Sequence, residues 1–171
     1  MNIFVSHQSP IESAHVLPDK HVVKMPLETC QMLAIVASDQ WGHGYGTLPK
    51  MNGEPYSTEK GAFRNHPCTI WANASVHNSW WLLSHGFALC KEYQHRFAKQ
   101  HSCLKTLTAA TKIFPQGDVR LVTPFVRAMP DEFKYDTSID TFTAYRKYIS
   151  SKPWVASNYL RDESRKPDWV Y

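Results

Sequence analysis

No apolar run in this chain is long enough to cross a membrane as a helix, and Met1 to Val5 holds no basic region followed by a long apolar one. Neither secretion nor membrane insertion is supported, and a cytoplasmic protein without a membrane partner is expected. Cysteine is scarce. Cys30, Cys68, Cys90 and Cys103 form no CxxC pair, and Cys30 and Cys90 fall within helical apolar stripes, so reduced core thiols are expected. The nine histidines, His7, His15, His21, His43, His66, His77, His85, His95 and His101, include no HExxH and no close His–Cys cluster, so no metal or other cofactor is expected. Glycine is sparse too, and the three within Trp41–Gly46 match no phosphate-binding fingerprint. There is no internal repeat or low-complexity tract. Neither sign of charge dominates: the formal charge of +4 fits a nucleic-acid or phosphate partner without establishing one.

What is present is core-forming material. With 43% hydrophobic and 13% aromatic residues among 171, the chain can bury a core without disulfide staples, and residues 1–171 are expected to form one domain. The spacing predicts a mainly α, compact single-domain fold with long irregular loops. Asp19 to about Ser38 reads as a helix that is apolar around most of its circumference, with Asp19 as its N-cap. One polar line interrupts it: His21, Lys24, Glu28 and Gln31, at steps of three, four and three, share a face. Such a line is either the wet side of the helix or the wall of an internal polar cleft. Pro26 implies that the helix starts after it or bends there and re-aims Glu28.

Ser9–Glu12 resembles a capped helix start running to about Val16. Residues 41–64 form the longest irregular segment and carry Trp41, His43, Tyr45 and Tyr56, all able to stack on a base; chance accumulation of turn residues is the alternative. Pro67 starts a second helical stretch that reaches about His101 with a break near Asn73–Ser75. Its predicted stripes are Trp80, Leu83, Phe87 and Cys90 beside Leu82, Leu89, Tyr93 and Phe97. Arg64, Asn65 and His66 at its start form a second polar cluster, where an anion would be favoured. Helices are also predicted over 102–114 and 138–150, the latter presenting Tyr145, Arg146 and Tyr148, with 119–127 extended or irregular. In the tail, Trp154, Tyr159 and Trp169 alternate with Arg161, Arg165 and Lys166, which suits either nucleic-acid contact or anchoring of the tail on the core.

Several of these stretches together resemble phage pyrimidine-dimer DNA glycosylases of the endonuclease V class. They are Asp19-Lys20-His21-Val22-Val23, Glu28 seven residues after His21, the helix-starting Pro67, the aromatic helix with Glu92, Tyr93 and Arg96, and the closing Lys166–Tyr171. Nearly the full chain also resembles a group of marine phage proteins, through Asp19–Met25, Asn65–Pro67, Ala128–Asp131 and Ala144–Arg146. The glycosylase resemblance implies a helical fold whose N-terminus threads between helices. It implies that an N-terminal α-amine attacks the anomeric carbon of the damaged nucleotide, forms a Schiff base and allows strand cleavage by elimination. Glu28 takes the place of the family's carboxylate, His21 that of a histidine near the DNA, and Met1 carries the amine. The host-cell cytoplasm would be the compartment. Two positions depart from the family: Leu27 and Gln31 stand where it has arginines, and Asn2 is large for removal of Met1, so Met1 is expected to stay.

Three functional classes follow. The first is a glycosylase or lyase acting on a damaged or modified pyrimidine in DNA, with Glu28, His21, Met1 and His66 as catalytic candidates. Its candidate nucleic-acid contacts are Lys20, Lys24, Gln31, Arg64, Asn65, Tyr145 and Arg146. The second is a nucleotide- or base-modifying transferase or hydrolase in which His21, Glu28 and His66 move protons. The third is a non-catalytic binder of nucleic acid, nucleotide or host factor.

Overall fold

A computed structural model describes residues 1–171 and contains helices but no strands. The helices are α1 (Pro10–His15), α2 (Asp19–Ala37), α3 (Pro67–Asn73), α4 (Val76–Phe97), α5 (Leu104–Ile113), α6 (Asp131–Lys134) and α7 (Thr141–Ser150). Single 3-10 turns lie at Val119–Leu121 and Glu163–Arg165. No helix is long and apolar enough to cross a membrane.

Local chemistry sets most of the boundaries. The Ser9 hydroxyl caps α1 by accepting from the Glu12 N–H, and Pro10 occupies the first position, where a missing N–H costs nothing. The expected break between α3 and α4 falls at Ala74, after which the Ser75 hydroxyl caps α4. Asp140 does the same for α7, so that helix begins three residues later than its spacing predicts. Asp19 is a correction: it is the first helical residue of α2 rather than its cap, because its carboxylate is engaged by the Arg96 guanidinium at 3.1 Å and by the Arg161 N–H at 3.1 Å. The helix also runs unbroken through Pro26, although proline has no N–H to give the Val22 carbonyl.

α2 and α4 are the two central helices, and both α1 and α3 pack against α4. Their crossing explains a glycine inside a long helix. A Cβ on Gly86 would lie 2.8 Å from Thr29 Cγ2 and 3.0 Å from a Leu107 methyl, so α2, α4 and α5 meet where only hydrogen fits. Trp81, Leu82, Leu83 and Leu89 bury the inner side of α4. Trp81, absent from the predicted stripes, is fully buried; the neighbouring Trp80, placed on one of them, is only partly covered and bonds through its indole N–H to the Pro115 carbonyl.

The irregular segments are tied down by side chains. Buried Asn78 donates to the Trp71 carbonyl and the Thr123 hydroxyl and accepts the Thr123 N–H, fixing the 119–128 segment to α4. The 41–64 loop uses its aromatics internally: the Trp41 indole donates to the Thr58 carbonyl, Arg64 covers the Trp41 ring, and His43 stacks on Tyr45. The tail is anchored to the core. Val155, Tyr159 and Val170 are buried, the Tyr159 hydroxyl donates to the Val16 carbonyl, and Arg165 meets the buried carboxylate of Glu92.

Candidate active site

Glu28 is a buried carboxylate on α2, two turns beyond His21, and the start of the chain folds against it. Its Oε2 accepts the Asn2 N–H at 2.9 Å and lies 3.5 Å from the α-amine of Met1. Its Oε1 is 3.2 Å from Nζ of Lys24, one turn earlier on the same face.

Asn2 shapes the first four residues. Its side-chain oxygen accepts the N–H groups of Ile3 at 2.7 Å and Phe4 at 3.0 Å, while its amide donates to the Ala128 carbonyl at 2.6 Å. The result is a tight turn in which Phe4 adopts φ 44°, a left-handed conformation costly for a side chain with a Cβ. That turn lays the Phe4 ring on His21, with centroids 4.1 Å apart and planes 21° apart. Tyr148 stacks on Phe4 at 5.9 Å, and Trp154 meets His21 edge-on at 5.6 Å.

These groups enclose a hollow of about 330 Å³ whose lining includes Met1, Phe4, His21, Glu28, Tyr148 and Trp154. Lys20 Nζ lies over the Trp154 ring at 4.6 Å and Lys152 Nζ over Tyr148 at 4.2 Å, so cations ring an aromatic cavity with an anion at its floor. Burial first, then the charges of Lys152 and Lys24, push the His21 imidazole down to about 3. His21 is therefore neutral at physiological pH, and its buried Nδ1 has no hydrogen-bond partner.

Other sequence candidates stand at different distances from this centre. His66 Nδ1 accepts the Cys68 N–H at 3.2 Å and caps α3. Burial first and the nearby N-terminal ammonium second lower its pKa, with Glu28 opposing, so it senses both members of the pair. Gln31 leaves the polar line and faces a second hollow beside Leu27 and Tyr56. Arg64 donates to the Lys60 and Gly61 carbonyls, and Asn65 is exposed; neither lines the Glu28 hollow. Arg146 Nε donates to the Ser6 carbonyl at 3.0 Å and secures the N-terminal segment. Tyr145 is a correction. It is completely buried, its hydroxyl donating to the Val126 carbonyl at 2.8 Å and accepting the Ala128 N–H at 3.2 Å, so it braces a loop and offers no surface to nucleic acid.

Asn2 and Lys152 were not legible as site residues. The bonds of Asn2 to Glu28 and Ala128 reach 26 and 126 residues along the chain, and Lys152 lines the hollow from just beyond the end of α7. No group of three or more His, Cys, Asp or Glu side chains is placed to hold a metal ion. An amine and a carboxylate at the floor of an open, cation-rimmed hollow can together displace a leaving group at carbon and move the protons involved.

Neither curated proteins nor solved structures give a match. A family model described as pyrimidine dimer DNA glycosylase matches residues 1–105, which include Met1, His21, Glu28 and His66 and stop short of Lys152 and Trp154. The amine–carboxylate floor thus lies wholly within the matched span, and the chain belongs to the pyrimidine dimer DNA glycosylase family.

Proposed function

We propose that this protein cuts the glycosidic bond of one base of a pyrimidine dimer in DNA by direct attack of the Met1 α-amine on the sugar, with Glu28 moving the protons. The observation that carries this reading is the pairing of that amine with a buried carboxylate, 3.5 Å apart, in a cavity open to a nucleotide. Amino termini are suited to the task because α-amines ordinarily titrate near ~8, against ~10.4 for lysine, so more of the neutral nucleophile is present at physiological pH.

Glu28 takes one proton from the ammonium, and the freed lone pair attacks C1′ of the damaged nucleotide. The C1′–N1 bond breaks with its electron pair on the base, which receives that proton from Glu28. A second amine proton passes by way of Glu28 to O4′ as the C1′–O4′ bond opens, leaving a protonated Schiff base. Removal of the C2′ proton by the carboxylate then expels the 3′ phosphate, and hydrolysis of the imine restores the amine. The Asn2 N–H and Lys24 hold the carboxylate in register through this sequence. A cationic sugar develops above it, where a fixed negative charge is most effective.

The neutral His21 does not serve as the acid. Packed beneath Phe4, it shapes the wall of the hollow, while Tyr148 and Trp154, both partly exposed, supply stacking surface. Lys20, Lys24 and Lys152 supply phosphate contacts around the rim.

The test is a duplex oligonucleotide carrying one cyclobutane thymine dimer. Wild type is expected to cut the C1′–N1 bond of one thymine, which stays tethered to its neighbour through the cyclobutane ring, and to nick the strand, and Glu28→Gln to lose at least 100-fold in rate, the scale of a missing general acid–base, with its melting temperature near wild type. Intact dimer DNA after prolonged incubation with excess wild-type protein would reject the reading.

A further inference from the structure

Away from Glu28, the other side of α2 carries Cys30, and the α2–α5 contact brings it against Cys103 at the N-terminal end of α5. The Cys30 Sγ donates to the Cys103 carbonyl at 3.9 Å, which sets the two cysteines side by side across the α2–α5 contact. The two residues are otherwise different. Cys30 is fully buried. Cys103, although also largely covered, forms part of the wall of a hollow of about 440 Å³ between α2, the 41–64 loop and α5. Leu27, Met51 and Phe63, all about half or more exposed, line the same hollow, so it communicates with solvent.

His101 adjoins Cys103, its Nδ1 accepting the Cys103 N–H at 3.1 Å and its Nε2 lying 3.0 Å from the Val23 carbonyl. That carbonyl requires the ring proton on Nε2, which leaves Nδ1 directed at Cys103. Its neighbours, Cys30 foremost and then His101, lower the Cys103 thiol against the effect of burial, whereas Cys30 beside it is raised. Cys103, whose thiol is lowered, lines a solvent-connected hollow; Cys30, whose thiol is raised, is fully buried behind it.

We propose that Cys103 is a peroxide-reactive thiol and that Cys30 resolves it, forming a reversible covalent tie between α2 and α5. The Cys103 thiolate attacks one oxygen of a hydroperoxide, breaking its O–O bond; the sulfur becomes a sulfenic acid and the other oxygen, with a proton from solvent, leaves as an alcohol, or as water from hydrogen peroxide. The Cys30 sulfur then attacks the sulfenic sulfur, and the displaced hydroxide leaves with the Cys30 proton as water. The oxidant is thus reduced by two electrons and the two thiols become one disulfide. Cys68 lies elsewhere, near Ile3 and Tyr145, with its thiol raised chiefly by burial. Cys90 approaches the pair but does not line the hollow.

The full chain is exposed to hydrogen peroxide in slight excess, its remaining thiols are alkylated, and its peptides are mapped by mass spectrometry without reduction. A Cys30–Cys103 crosslink lacking two hydrogens is expected, removed by dithiothreitol, with Cys68 and Cys90 alkylated. In Cys30→Ser the sulfenic acid is expected to persist at Cys103 and to be captured by a 1,3-diketone probe; Cys103→Ser is expected to give neither product. Circular dichroism matching wild type identifies the variants that are folded. Equal alkylation of all four cysteines after oxidation of the wild-type chain, or a crosslink joining Cys103 to Cys90, would overturn the assignment without bearing on base excision.

Discussion

His85 offers a quantitative test of how tightly the α2–α4–α5 core is sealed. It is 1% exposed, stacks on Trp81 at 5.0 Å, and has a partner for neither ring nitrogen. Burial alone pushes its pKa down from 6.5 to about 3. Between those values the unfolded chain binds a proton at this residue that the folded chain does not, so its stability contribution is complete above pH 6.5 and declines as the pH falls toward 3. At pH 5 the loss amounts to about 1.5 pH units at about 1.4 kcal/mol each, or roughly 2 kcal/mol. His21, lowered to about 3 as well, acts in the same direction and adds to the wild-type slope. Substituting His85→Leu isolates the His85 share: an apolar side chain of similar size gives up no hydrogen bond there. Urea unfolding at pH 7 and pH 5 is the assay. The wild type is expected to lose about 2 kcal/mol more than the variant over this interval, with the variant no less stable than wild type at pH 7. Equal losses in the two proteins would show that His85 reaches water or a partner in solution, and would refute the reasoning.

Arg96 gives a second stability test. Its guanidinium bonds Asp19 and Glu92, each at 3.1 Å, and the carbonyls of Leu17 and His15, each at 2.7 Å. Arg96→Met takes the shared guanidinium from two buried carboxylates, leaving Glu92 to Arg165 and Asp19 to the Arg161 N–H, and is expected to cost about 3 kcal/mol in urea unfolding; a loss below about 1 kcal/mol would mean that these remaining partners satisfy both carboxylates. Lys152→Ala is expected to weaken binding to duplex DNA independently of sequence and to reduce the slope of log affinity against log salt by about one, as measured by fluorescence anisotropy. The same variant is expected to raise the His21 pKa in an NMR titration, since the Lys152 charge is one of the causes that lower it.

Helical periodicity made much of this legible. The reach of α2, the break before α4 and the shared face of His21, Lys24 and Glu28 all follow from spacings that a helix imposes on its own residues. Periodicity could not say what would cover that face. Gln31 obeys the same spacing yet faces a different hollow, because the 41–64 loop, rather than the N-terminal segment, closes over that part of α2. Tyr145 shows the same limit from the other direction: an aromatic beside Arg146 suits nucleic acid, but its hydroxyl is claimed by backbone groups 17 and 19 residues earlier. Asn2 carried no local signal at all. Its importance lies in the left-handed turn at Phe4 and in partners at Glu28 and Ala128, and such long-range bonds leave no period in the chain.

The most direct test of the mechanism is borohydride trapping on dimer-containing duplex, followed by proteolysis and mass spectrometry of the DNA-linked peptide. Attack by the chain's own amine leaves a reduced, irreversible bond between sugar and protein, and the adduct is expected on the Met1 nitrogen, 3.5 Å from Glu28 in the free protein. Glycosidic-bond cleavage without any trapped adduct, or an adduct on the Lys24 side chain, would contradict the assignment of the N-terminal amine as the nucleophile.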